Sequence, residues 1–111
     1  MKYALLIYGL PEFREIPEDQ LKSVVGEYEA LLDEPGVIGG QQLQGTESAT
    51  TVRMENGEAL LSDGPFVDAK EFLGGLLVLE ADNLDAATAL AARVPAARMG
   101  GAVEVRPIVE R

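Results

Sequence analysis

Apolar residues run almost unbroken through "KYALLIY" (2–8), which predicts a short strand with apolar neighbours on both of its faces. The polar, proline-bearing "GLPEFREIPEDQ" ends it. From Pro17 the spacing changes: Leu21, Val24, Val25, Tyr28, Leu31 and Leu32 recur at i, i+3, i+4, i+7, i+10 and i+11, one stripe of an amphipathic helix. Pro17 suits its first turn, Glu18 and Asp19 suit its positive end, and Pro35-Gly36 stops it. "VIGGQQLQ" (37–44) predicts a second strand, weakened by two glycines. "TTVRME" (50–55) alternates Val52 and Met54 with Arg53 and Glu55, and Asn56-Gly57 turns it into "EALLS" as a hairpin. After a corner at Asp63-Gly64-Pro65-Phe66, "LGGLLVLEA" (73–81) predicts another strand apolar on both faces. A second helix starts with Asp82 or Asn83 as its cap, carries Leu84, Ala87, Leu90, Ala91 and Val94 on one side, and ends at Pro95. "AVEVRPIV" (102–109) alternates as a last strand.

The order β-α-β, hairpin, β-α-β predicts one α+β domain over residues 1–111: a ferredoxin-like split βαβ sheet, antiparallel, with an inserted hairpin and both helices on one face. In the first strand Tyr3, Leu5 and Ile7 point one way while Ala4, Leu6 and Tyr8 point the other. Leu76 and Val78 oppose Leu77 and Leu79 in the same manner. Two helices cover only one side. At about 25 cal/mol per Å2, a second face of Leu, Ile and Tyr left in water forfeits several kcal/mol. That face is therefore expected to meet a second copy of the chain, forming a homodimer whose two sheets close around a shared, partly apolar chamber.

Charge and composition narrow the chemistry. Nineteen acidic residues against nine basic ones give a formal charge of −10, a field that repels nucleic acid and anionic membrane surfaces. No apolar run approaches the roughly 18 residues a membrane helix needs, and the start of the chain suits a strand better than a secretion signal. A cytoplasmic protein is expected, with no nucleic-acid or membrane partner. The chain has no Cys and no His, which removes thiol nucleophiles, imidazole bases, disulfides and zinc fingers. No metal and no cofactor are expected. Arg93, Arg98, Arg106 and Arg111 gather near the end of the chain, but Glu104 and Glu110 lie among them and make a mixed surface.

The Asp63-Gly64-Pro65-Phe66 corner is a turn first, because Asp, Gly and Pro supply a side-chain acceptor, a free φ and a fixed φ in succession. Its functional reading makes Asp63 a general base or ligand acceptor at a cavity mouth, with its pKa raised by burial, and Phe66 a lid or wall. Lys70 and Glu71 could hold an anion or donate a proton, and a surface ion pair competes with that reading. Arg53 points either into the chamber or into solvent, and Tyr8, at a strand end, is the tyrosine best placed to touch a ligand. The glycine pairs at 39–40, 74–75 and 100–101 fit no phosphate-loop spacing and are read as bulges or close backbone approaches. "EFREIPED" lacks calcium-loop spacing.

Taken together, "MKYALLIYG", "DGPFVDAKE" (63–71), "LGG" (73–75) and "VEVRP" (103–107) resemble the DGPF proteins within the YCII-related family, over nearly the whole chain. The resemblance implies a ferredoxin-like subunit in a dimeric α/β-barrel, in a family where some members lie beside, or are fused to, sigma factors of the extracytoplasmic-function type. Relatives in the wider group are thought to use a His-Asp pair, and one type removes chloride from a chlorinated aromatic. This chain lacks the histidine, so only the aspartate half carries over, onto Asp63, and Asp68 stands where the family block has Glu. The expectation is a homodimeric, non-catalytic or small-ligand-binding protein taking an apolar ligand, with a link to sigma-factor regulation. The alternative is a small histidine-independent enzyme, lyase or dehydrohalogenase-like, whose Asp63 accepts a proton from an apolar or aromatic substrate, assisted by Lys70 or Tyr8.

Overall fold

β1 (Lys2–Tyr8) runs through the middle of a four-stranded antiparallel sheet, because its apolar residues on both faces can be served only at an interior position. The computed structural model describes residues 1–9, 15–67 and 71–111. β1 is flanked by β5 (Leu73–Glu80) and β6 (Ala102–Pro107), and β2 (Val37–Gln42) pairs with the far side of β5, giving the order β2-β5-β1-β6. In register, Leu5 lies between Leu77 and Val105, and Leu6 between Leu76 and Glu104. Each βαβ half leaves a gap of one strand that the other half fills, the interlocked ferredoxin-like arrangement expected from the element order.

The helices pack on one face. α1 (Glu18–Leu32) connects β1 to β2, and Pro17 precedes its first turn, where the Pro17 carbonyl accepts from the amides of Gln20 and Leu21. At the far end Gly36 adopts φ +91°, and a Cβ there would stand 2.5 Å from the Glu80 carbonyl oxygen, so only glycine lets the chain turn into β2 this close to β5. α2 (Leu84–Ala91) is capped by the Asn83 side chain, which accepts from the Ala86 amide at 2.9 Å. Pro95 does more than end this helix as expected: it opens a short further helix, α3 (Pro95–Arg98), because its fixed φ and missing N–H suit a first helical position. Val94, expected on the α2 stripe, sits at that junction and is fully buried.

Tyr3, Leu5, Ile7, Leu77 and Leu79 meet Leu31, Ala87, Leu90, Ala91, Val94 and Ala96 in one core. The opposite face of the sheet carries Ala4, Leu6, Tyr8, Leu76 and Val78, all only half-buried. Among the described residues nothing lies over it to the extent that the helices cover the first face. β3 (Thr50–Glu55) and β4 (Glu58–Asp63) form a separate two-stranded sheet that joins neither edge of the main one. This hairpin arm stretches the molecule: the radius of gyration is 15.8 Å, where a compact chain of this length has about 13 Å. No helix among the described residues is long and apolar enough to cross a membrane.

Tyr28, on α1, closes one end of the core. Its hydroxyl is sealed from solvent without a hydrogen-bonding partner. Burial pushes its pKa above the ordinary tyrosine value. The backbone near Ala96 and the Arg98 guanidinium oppose that rise more weakly, and Glu27, ion-paired to Arg98, adds to it.

Leu5→Ala empties the centre of this core and should lower the unfolding free energy by about 2–5 kcal/mol, measured by urea denaturation. Tyr28→Phe removes an unpartnered buried hydroxyl and should raise stability by up to about 1 kcal/mol. The folded protein holds the phenolic proton more tightly than the unfolded chain, which releases it near pH 10. This group's contribution is thus level below about pH 10 and is lost as pH rises further, a decline that Tyr28→Phe should lack.

Candidate functional site

Two glycine pairs that are distant in sequence become neighbours when β2 pairs with β5. Gly39 and Gly40 lie opposite Val78 and Leu77, while Gly75 lies opposite Gln42. A Cβ on Gly40 would stand 2.4 Å from Leu77 Cδ2, and one on Gly75 would stand 2.8 Å from the Gln41 carbonyl oxygen, so both positions exist to let groups approach. The pairing also slips at Ile38 on the β2 side, and at Gly74 where β1 meets β5. With side chains missing from the sheet, the α1 stripe above it cannot fill the space.

What remains is a cavity of about 230 Å3 between α1 and the β2–β5 edge. Val25, Tyr28 and Leu32 wall it from the helix, with Ile7 and Leu77 below and the glycines as floor. Glu29, Gln41 and Gln42 bring polar groups to its lining. The Tyr28 ring contributes a wall, whereas its hydroxyl is closed off from the cavity as it is from solvent. The described lining contains one carboxylate and no cation. Such a site can hold an uncharged, mostly apolar molecule. No group of three or more acidic side chains among the described residues is arranged to hold a metal ion.

The residues singled out from the sequence lie elsewhere. Asp63 is exposed at the end of β4, opposite Thr50, on the same face of the arm as Val52 and Leu61. Its corner is a well-tied turn: Gly64 takes φ +96° and its amide donates to the Ala49 carbonyl, while the Thr51 hydroxyl donates to the Gly64 carbonyl. The burial invoked to raise the Asp63 pKa is not found in the chain. Arg53 and Phe66 do come together, with the guanidinium 5.3 Å from the ring centre, but Phe66 is 69% exposed and lids nothing in its own chain. Tyr8 stands on the open sheet face in a shallow groove with Glu71, Ala102, Val103 and Glu104. Lys70 and Asp68 lie outside the described residues.

None of Asp63, Arg53, Phe66 and Tyr8 lines the cavity. The cavity is on the helix side of the sheet within one chain, whereas the strand pattern led to the expectation of a chamber on the open face. In the sequence, Val25, Tyr28 and Leu32 belong to the apolar stripe of the helix, and the glycine pairs read as bulges or close backbone approaches, which the slips and contacts at 39–40 and 74–75 bear out. The signal that could have found the site was present: two Gly-Gly pairs on strands that the split βαβ topology makes adjacent.

Comparison with known proteins agrees with this fold. An uncharacterised protein of Rhizobium meliloti (strain 1021) is 36% identical over 77 residues, a span of 68% of this chain and 62% of the relative, so the match covers less than two thirds of that protein. Among solved structures, the 5-chloro-2-hydroxyhydroquinone dehydrochlorinase of Burkholderia phenoliruptrix AC1100, in complex with 2,5-dihydroxybenzoquinone, superimposes with a TM-score of 0.54 at 17% identity. That alignment covers 100% of this chain and 96% of the enzyme, and at this identity it speaks for the fold alone. The model of the YCII-related domain matches residues 1–111, from the first strand to the last, and the chain belongs to that family.

Proposed function

We propose that this YCII-related protein is a cytoplasmic binder of one small, uncharged, largely apolar molecule, about the size of a single substituted aromatic ring, held between α1 and the β2–β5 edge. One observation carries the reading: the cavity of about 230 Å3 walled by Val25, Tyr28, Leu32, Ile7 and Leu77 over a glycine floor. An apolar cavity of roughly 150 Å3 is large enough for benzene, so this one has room for a ring with substituents. The Glu29 carboxylate and the absence of a lining cation among the described residues disfavour anions. A fold of this kind holds a one-ring quinone in the dehydrochlorinase complex. Binding without turnover suits a regulator that reports a small molecule, the setting that the sigma-factor association of the resemblance implies.

The enzyme alternative, with Asp63 as proton acceptor, has less support. A proton acceptor must come within hydrogen-bond reach of the proton it takes, and Asp63 is exposed on the arm and touches no wall of the cavity.

Amide-detected NMR titration tests the proposal. Toluene and phenol should shift the Gly40, Gly74, Gly75 and Leu77 resonances in a saturable way, and benzoate should not. Val25→Phe, which fills the cavity from a half-exposed position, should weaken the shifts at least tenfold, and Asp63→Asn should leave them unchanged. Shifts that never saturate, or that survive Val25→Phe, would overturn it.

A further inference from the structure

Two steps of related chemistry bracket β4: Asn56-Gly57 at the tip of the hairpin arm and Asp63-Gly64 at its base. In each, the glycine amide nitrogen follows a side-chain carbonyl that it can attack to close a succinimide ring, and glycine has no Cβ to hinder the approach. The structure treats the two steps differently. The Gly64 amide is engaged, donating to the Ala49 carbonyl at 2.7 Å, and the Thr51 hydroxyl donates to the Gly64 carbonyl at 2.8 Å. The Gly57 amide donates to no described residue, and nothing lies within 4 Å of the place a Gly57 Cβ would take. Asn56 and Gly57 are both exposed. The chain's other asparagine, Asn83, has its side chain engaged with the Ala86 amide and is followed by Leu84 rather than glycine.

Ring closure requires the turn to open, because Asn56 (φ 51°) and Gly57 (φ 82°) are held in the left-handed conformations of a two-residue hairpin loop. Opening costs little at this place. The last strand pair before the loop sets Glu55 against Glu58, two like charges directly across from each other. The arm joins neither edge of the main sheet, and a lone two-stranded hairpin is marginal in water. Its base is tied through Gly64 and Thr51, so fraying starts at the tip.

We infer that Asn56 is a self-modification site, whose deamidation unpairs the arm and leaves the four-stranded sheet as it was. The Gly57 nitrogen forms a bond to the Asn56 side-chain carbonyl carbon. The carbon–nitrogen bond of the side-chain amide breaks, and its nitrogen leaves as ammonia with the proton that Gly57 gave up. Solvent water then opens the ring at either carbonyl, which restores the Gly57 N–H and leaves aspartate or isoaspartate. Either product sets a further carboxylate between Glu55 and Glu58. Isoaspartate also adds a methylene to the main chain of the loop that fixes the register of β3 on β4.

The test is to age the full-length protein in water labelled with heavy oxygen and then digest it with trypsin in ordinary water. Cleavage after Arg53 and Lys70 leaves Asn56 and Asp63 on one peptide, whose fragments report each position separately. Relative to the same chain unfolded in urea, folding should slow the Asn56 reaction by less than about tenfold and the Asp63 isomerisation by a larger factor. The aged fraction, more negative and separable by ion exchange, should lose amide-exchange protection in β3 and β4 and keep it in β1 and β5. Asn56→Gln, whose longer side chain does not form the same ring, should keep its arm protected through the same incubation. An Asn56 reaction slowed tenfold or more, an Asp63 reaction slowed no more than that of Asn56, or an aged arm as protected as a fresh one overturns the inference. So does loss of arm protection in Asn56→Gln.

Discussion

A four-stranded sheet has two faces, and the helices of one chain can cover only one of them. That constraint orders this molecule. On the covered side, Tyr3, Leu5, Ile7, Leu77 and Leu79 lock against α1, α2 and α3, and Leu5 is fully removed from solvent. On the other side, the same strands present Ala4, Leu6, Leu76 and Val78, half-buried, with no helix layer over them among the described residues. The alternation is unavoidable, because a strand that must sit in the middle of the sheet cannot choose which of its residues face outward. Polar residues at Ala4, Leu6, Leu76 and Val78 would have removed the problem.

The cavity arises from the opposite departure. Where the helix layer would normally be met by side chains from β2 and β5, the chain supplies glycine at 40, 74 and 75. A Cβ at Gly40 or Gly75 would collide with neighbours, so the glycines permit the close approach of Leu77 and of the β2 backbone, and the cavity lies beside them. Glycine inside a strand also weakens the strand, since it gains no packing there.

Periodicity alone made most of the fold legible. The 3.6-residue stripe from Leu21 to Leu32, the alternation in 50–55, the Asn56-Gly57 turn and the two-faced runs at 2–8 and 73–81 were each dictated by local chemistry. The α2–α3 break was not legible, because Pro95 stops a helix and starts one equally well, and only packing at Val94 decides. The detachment of the hairpin was hidden for a similar reason: strand pattern fixes pairing within β3 and β4 but not whether the pair joins the larger sheet. The site was less legible still. Sequence reasoning looks for side chains that do chemistry, and attention went to Asp63, Arg53, Phe66 and Lys70. The cavity is defined by side chains that are missing, at positions brought together by long-range pairing.

The chain has no imidazole and no thiol, and Asp63 is exposed, so a ligand in the proposed cavity would be selected by shape and desolvation. Shape recognition needs a rigid wall. β5 provides one: Gly74, Gly75, Leu76 and Leu77 all contribute to the cavity lining.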